Sequence, residues 1–272
     1  MTRVHLLALL VSLAGETLAE CSRATLQDIA ATYVKAQTAG QPELLSLASN
    51  ASYAENDVSM DIKKGVLSQA LPVDNTRSLL DSVQCATFTE ITSATAKHPY
   101  VIHTRMLVAD SKISAIESVV TDDGDWVFNA TGHLYWSKRE TWDPIPEARR
   151  DTRDVIKAAG DAYLNQWAES TLSVPLGTPC ARLEGGMYTG ERQPTANTCK
   201  MPAFPQPLKA GNRRYIIDEE LGAMDIFNGF PWLEKSKPAD ASTPCSNLFR
   251  VESGKIRYIH EQTVCATPHC GR

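Results

Sequence analysis

Met106–Val120 reads MLVADSKISAIESVV and Phe249–Val264 reads FRVESGKIRYIHEQTV. At an offset of 143 residues, Val108 falls on Val251, Lys112 on Lys255, Ile113 on Ile256 and Ile116 on Ile259. Each stretch alternates apolar and polar residues, turns at a polar pair (Asp110-Ser111, Ser253-Gly254), and alternates again. That is the pattern of an antiparallel hairpin, and it is present twice.

Helical patterns repeat upstream of each hairpin. Thr25–Gly40 carries Leu26, Ile29, Ala30, Tyr33 and Val34 at helical spacing, with Thr25 as N-cap and Gly40 as stop. Asp151–Glu169 places Val155, Ala158, Ala159, Ala162, Tyr163 and Trp167 in the same way. After each helix comes a conspicuous motif, Ser52-Tyr-Ala-Glu-Asn56 in the first half and Arg182-Leu-Glu-Gly-Gly-Met-Tyr188 in the second. Helix, motif and hairpins in that order, twice over, predict a duplicated α+β unit. The predicted organisation is a leader over 1–19, a first unit over 20–140, a packed connector with Trp142 and Ile145 over 141–150, a second unit over 151–265 and a tail over 266–272. Pro194–Gly211 and Pro231–Cys245 read as irregular.

The leader has one arginine, an apolar run of about 11 residues from Val4 to Ala14 and the small-x-small triplet Thr17-Leu18-Ala19, which is the pattern of a signal peptide. A secreted, extracellular protein is the expectation, and with it disulfides among the seven cysteines. Cys21, Cys85, Cys180, Cys199, Cys245 and Cys265 are the candidates. Proximity suggests Cys180 with Cys199, and Cys21 with Cys85 would tie the first helix to the first sheet. No cysteine spacing suits zinc, so no metal is expected. Asn50-Ala-Ser and Asn129-Ala-Thr are glycosylation sequons. A net charge of -5 and a pI near 5.7 argue against nucleic acid or an anionic membrane as partner.

Further motifs are His98-Pro-Tyr-Val-Ile102, Gly124-Asp-Trp126, Arg214-Tyr-Ile-Ile-Asp-Glu219 and Phe249-Arg-Val-Glu252 with Gly254-Lys-Ile-Arg-Tyr-Ile-His260. With Tyr53-Ala-Glu-Asn56 and Arg182-Leu-Glu-Gly-Gly186, they give the chain its resemblance to secreted fungal proteins of an uncharacterised family. The unit resembles the nuclear transport factor 2-like, or SnoaL-like, fold. That resemblance implies a helical part on a strongly curved antiparallel sheet around a cone-shaped cavity. Relatives of that fold include isomerases, dehydratases, cyclases and proteins that only bind.

Strand parity from Ile256 puts Tyr258, His260, Gln262 and Val264 on one face, proposed to line the cavity, and Arg257, Ile259, Glu261 and Thr263 on the other. His260 with Tyr258 is the first acid–base candidate. Asp218, after the apolar Tyr215-Ile-Ile, and Glu184, beside Arg182, are the candidate carboxylates, although Asp218–Gly222 also reads as a turn. Tyr53, Glu55, Asn56, Arg182 and His103 are candidate substrate contacts, with His103 read as solvent-facing beside Arg105. No nucleophile elbow, zinc-protease helix, P-loop or dinucleotide fingerprint occurs. Two readings follow. One is a cofactor-independent isomerase, dehydratase or cyclase acting on a small hydrophobic metabolite. The other is a secreted protein that binds without reacting.

Overall fold

The computed structural model describes residues 21–204, 207–231 and 242–270. The leader, most of the second irregular segment and the chain end lie outside them. Each half of the described chain builds one six-stranded mixed sheet.

In the first half, helix α1 (Arg23–Ala39) leads to strands β1 (Leu47–Glu55), β2 (Val58–Ser59), β3 (Asn75–Asp81), β4 (Ala86–Ser93), β5 (Tyr100–Ala109) and β6 (Lys112–Thr121), ordered β2-β1-β6-β5-β4-β3. Helix α2 (Ala130–Ser137) follows. In the second half, helix α3 (Arg153–Gln166) leads to β7 (Leu176–Glu184), β8 (Met187–Tyr188), β9 (Gly211–Asp218), β10 (Ala223–Pro231), β11 (Ser242–Glu252) and β12 (Lys255–Thr263), ordered β8-β7-β12-β11-β10-β9. The two orders are the same order. The expected sheet was wholly antiparallel, but β1 pairs with β6, and β7 with β12, in parallel. The chain reaches β6 and β12 only after a full circuit of hairpins, and the returning strand closes on the first in the same direction.

The helix ends follow from local chemistry. Ser22, not Thr25, caps α1: its side chain accepts the Thr25 N–H, and Gly40 ends the helix in the left-handed region at φ 65°. Thr152 caps α3 by accepting the Val155 N–H. Helices α1 and α3 each lay their apolar face on their own sheet. Tyr33, Ala36, Ile91, Ile102, Met106 and Ile116 are among the residues of the first core, and Tyr163, Trp167, Met224, Ile226, Phe249 and Ile259 among those of the second.

The opposite faces of the two sheets pack on each other. Leu79, Ala86, Phe88 and Val119 of the first meet Ile216, Ala223, Phe227 and Leu248 of the second. The junction is reciprocal. Arg23, which opens α1, pairs with Asp218 at the end of β9 (2.8 Å), while Arg153, which opens α3, pairs with Asp81 at the end of β3 (2.8 and 2.7 Å). The Leu80 N–H donates to Asp218 and the Ile217 N–H to Asp81, both at 2.9 Å. His103 and Ser246, equivalent at the 143-residue offset, touch each other at 2.7 Å. Residues that exchange contacts with their own counterparts mark a two-fold relation, here within one chain.

Candidate functional site

Among the described residues two clusters of buried titratable groups stand out, one between the sheets and one inside the second unit. The first is centred on Glu90 of β4, whose side chain is wholly buried. Its Oε1 lies 2.6 Å from His260 Nδ1, 3.3 Å from His103 Nε2 and 3.4 Å from His133 Nε2, and Arg77 holds its Oε2. His260 is clasped from its other side by Glu140 Oε2 at 2.6 Å, and Trp142 donates to the same oxygen at 2.9 Å. Burial alone would push the His260 imidazole down, but Glu140 and Glu90 overcome this and hold it up, at about 9. Burial likewise opposes ionisation of Glu90, yet His260 and Arg77 keep it well below the usual carboxylate range. His103 and His133 have weaker compensation, and burial pushes both down, His103 to about 4.

Each remaining ring nitrogen has an outer contact. His103 Nδ1 meets Ser246 Oγ, which donates to Asp225 at 2.6 Å, and His133 Nδ1 meets Thr92 Oγ1 at 3.0 Å. Glu90, His133 and His260 offer donor atoms all within 4.8 Å of one another, the geometry of residues able to hold a metal ion. Glu140 also borders a cleft of about 280 Å³ shared with Trp136, Ala181, Tyr188, Gln193 and Tyr258. Trp136 stacks on Tyr188 at 4.5 Å.

The second place is the α3 side of the second sheet. A register shift between Ile256 and Tyr258 breaks the alternation, so Ile256 and Ile259 both join the core while His260 faces the other sheet. Glu261 thereby turns inward beside Glu184, its register neighbour on β7. Arg182 Nη1 lies 3.0 Å from Glu184 Oε1. Burial first, then the charge of Glu184, raises the Glu261 carboxyl to about 8. Buried Cys245 accepts from Asn247 Nδ2 (3.2 Å) and Thr263 Oγ1 (3.1 Å), and burial with Glu261 pushes its thiol well up. In this interior Tyr163 Oη, Trp167 Nε1, Arg182 Nε, Asn228 Nδ2 and Asn247 Oδ1 have no hydrogen-bond partner among the described residues.

The first unit treats the same positions differently. Tyr33 bonds Thr104 at 2.7 Å, and Thr104 bonds Ser118 at 2.8 Å. Glu55 accepts from Tyr53 and from the Val66 N–H, and Asn56 bonds both backbone groups of Val120. Tyr53 and Glu55 thus satisfy each other, while Asn56 closes the sheet end, and Tyr53 also lines a cavity of about 240 Å³.

Several expected placements change. His103 is not solvent-facing but fully buried, because its face is covered by the second sheet. His260 and Tyr258 face the junction and not their own unit's interior. The acids beside His260 are Glu90 and Glu140. Glu184 belongs to the interior, and Asp218 belongs to the inter-unit pairing, where it also accepts the Glu220 and Leu221 N–H groups of its own turn. Cys245, expected in a disulfide, is free, and Cys270, outside the expected set, pairs with Cys265, alongside Cys21–Cys85 and Cys180–Cys199. Asn50 and Asn129 are both exposed. Glu90, His133 and Glu140 are not singled out by the sequence, and Tyr163 and Glu261 are read there only as a helix-face and a strand-face residue. His133 lies in a helix without a clear periodic stripe, and the acids acquire meaning only from strands far away in the chain.

Residues 149–263 match the model of a family described as a domain of unknown function (DUF8021), a stretch that runs from just before α3 to the end of β12. A comparison with curated proteins gives no match. No helix among the described residues is long and apolar enough to cross a membrane.

Proposed function

We propose that this chain is a secreted pair of nuclear transport factor 2-like (SnoaL-like) units in which only the second is a working chamber. The chamber binds a small, mainly apolar metabolite bearing a carbonyl or hydroxyl group. It acts on it by proton transfer without a cofactor, as an isomerase, dehydratase or cyclase does. The observation that carries this reading is the set of unpartnered polar atoms on Tyr163, Trp167, Arg182, Asn228 and Asn247, buried in one interior beside Glu184 and Glu261. Buried polar groups are nearly always paired, and several orphans converging in one core mark a place built to hold something. Arg182 and Tyr163 would orient the polar end of the ligand. Glu184, one-tenth exposed beside Arg182, is the group placed to move a proton. The disulfides and the sequence leader support the extracellular assignment. The rival reading, binding without reaction, is favoured by the Arg182–Glu184 ion pair, which holds the carboxylate in a fixed partnership.

Trp167 supplies the test. A panel of small phenols, enones and cyclic ketones is screened by tryptophan fluorescence, with Trp167→Phe assigning the signal among five tryptophans. A saturable change, abolished in a folded Arg182→Met variant, is the expected result. Binders are then incubated in D2O and followed by NMR. Deuterium incorporation lost in Glu184→Gln supports the enzyme, binding without exchange supports the carrier, and no Arg182-dependent binder rejects both.

A further inference from the structure

The Glu90 cluster is more than a salt bridge needs. One carboxylate oxygen offers about two lone-pair sites, yet three imidazole nitrogens converge on Glu90 Oε1, at 2.6, 3.3 and 3.4 Å. The His133 Nε2 contact lacks hydrogen-bond geometry, leaving a wholly buried nitrogen unpartnered among the described residues. A proton shared between His260 and the two glutamates accounts for one of the three rings and leaves the other two unexplained.

The outer contacts supply a second, independent sign. Each ring uses its far nitrogen on an outer group: His260 on Glu140, His133 on Thr92, and His103 on Ser246 and through it Asp225. Metal-binding histidines are oriented in this way, with the non-ligating N–H given to a carboxylate or another acceptor. Arg77 occupies only Oε2 of Glu90, which leaves Oε1 turned to the rings.

We propose that Glu90, His133 and His260, with His103 as the adjacent fourth donor, form a binding site for one divalent first-row metal ion of zinc type. Imidazole nitrogens with one carboxylate suit zinc and its neighbours, and not calcium or magnesium, which take oxygen. Tetrahedral bonds of about 2.0–2.2 Å set donors roughly 3.3–3.6 Å apart, so the His103 and His133 nitrogens already stand at that spacing from Glu90 Oε1, at 3.3 and 3.4 Å, while the 2.6 Å His260 contact would have to open. The ligands come from β4, α2 and β12, so the ion would pin the two halves across the junction. The cleft at Glu140 is the route of entry. This site is separate from the chamber of the second unit and does not depend on its function.

The test uses the untagged full chain, dialysed against chelator and then against micromolar Zn2+ or Co2+. One equivalent of metal by elemental analysis, a Co2+ visible spectrum of low-symmetry type and a rise in melting temperature with Zn2+ are expected. His133→Ala should weaken binding at least about 100-fold. Should that variant fail to fold, Thr92→Val, which removes only the outer contact, should weaken it about 10–100-fold. Absence of stoichiometric metal in the full chain overturns the proposal, as does binding unchanged by Thr92→Val or by a folded His133→Ala.

Discussion

At the residue scale, the halves diverge where the sheets are most alike. Ser118 and Glu261 occupy equivalent places on β6 and β12, and Thr104 and Asn247 on β5 and β11. Hydroxyls in the first unit close their own network, whereas the second unit carries groups too many and too charged to satisfy one another. Cys245 sits among the latter, fully buried, and only a thiolate reacts readily. The native protein should therefore ignore a thiol reagent, and the denatured, unreduced protein should release one thiol. Rapid labelling of the native chain would show that Cys245 is reachable and that the interior around it opens. None of this was legible locally. Seven cysteines predict one left over, but which one is set by the short loop that brings Cys270 to Cys265.

At the element scale, strand alternation carried the reading far and then failed at one place. Two hairpins, two helices and their order were legible because period-2 and period-3.6 patterns are local properties of the chain. The parity of β12 was not, since a bulge is a tertiary adjustment that moves every later side chain to the opposite face. That single shift puts His260 on the junction face of the second sheet and Glu261 on the face toward its own unit's interior. Ile256, on the core side of the bulge, is fully buried, so Ile256→Ala should cost about 2–5 kcal/mol in denaturant unfolding. Arg257→Ala, next to it and partly exposed, should cost under about 1 kcal/mol. Equal losses would place the bulge elsewhere. The β7–β8 turn supplies a second case. Gly185 has φ 58°, and a Cβ there would lie 2.5 Å from the Trp126 carbonyl oxygen. Gly185→Ala should therefore destabilise by more than about 1 kcal/mol, and an unchanged melt would show that the 126–129 segment yields.

At the scale of the whole molecule, the duplication was visible as an offset, but not the way the copies meet. Asp218 read as a catalytic acid because an apolar strand leads into it. Its role follows from Arg23, almost two hundred residues earlier, and from the Leu80 N–H. Asp81→Ala and Asp218→Ala should each cost about 1–3 kcal/mol, the scale of a buried N–H left unpaired, and by similar amounts because the two contacts are mirror copies. A catalytic Asp218 would instead leave the melt of Asp218→Ala near that of the wild type. The same symmetry predicts what the second half does alone. Expressed from residue 141, it exposes Ile216, Ala223, Phe227 and Leu248, a face that cannot remain in water. A second copy supplies the matching face, with Arg153 of each chain meeting Asp218 of the other as it now meets Asp81. Phe227 of the copy would stand where Glu90 does and Glu140 is absent, so His260 loses both of its carboxylates and the dimer is less stable than the intact chain. The expected result is twice the monomer mass in sedimentation, a melting temperature that rises with concentration, and no bound zinc. A monomer melting like the full protein would mean that the halves are independent, and that their reciprocal arginine–aspartate contacts contribute little to holding them together.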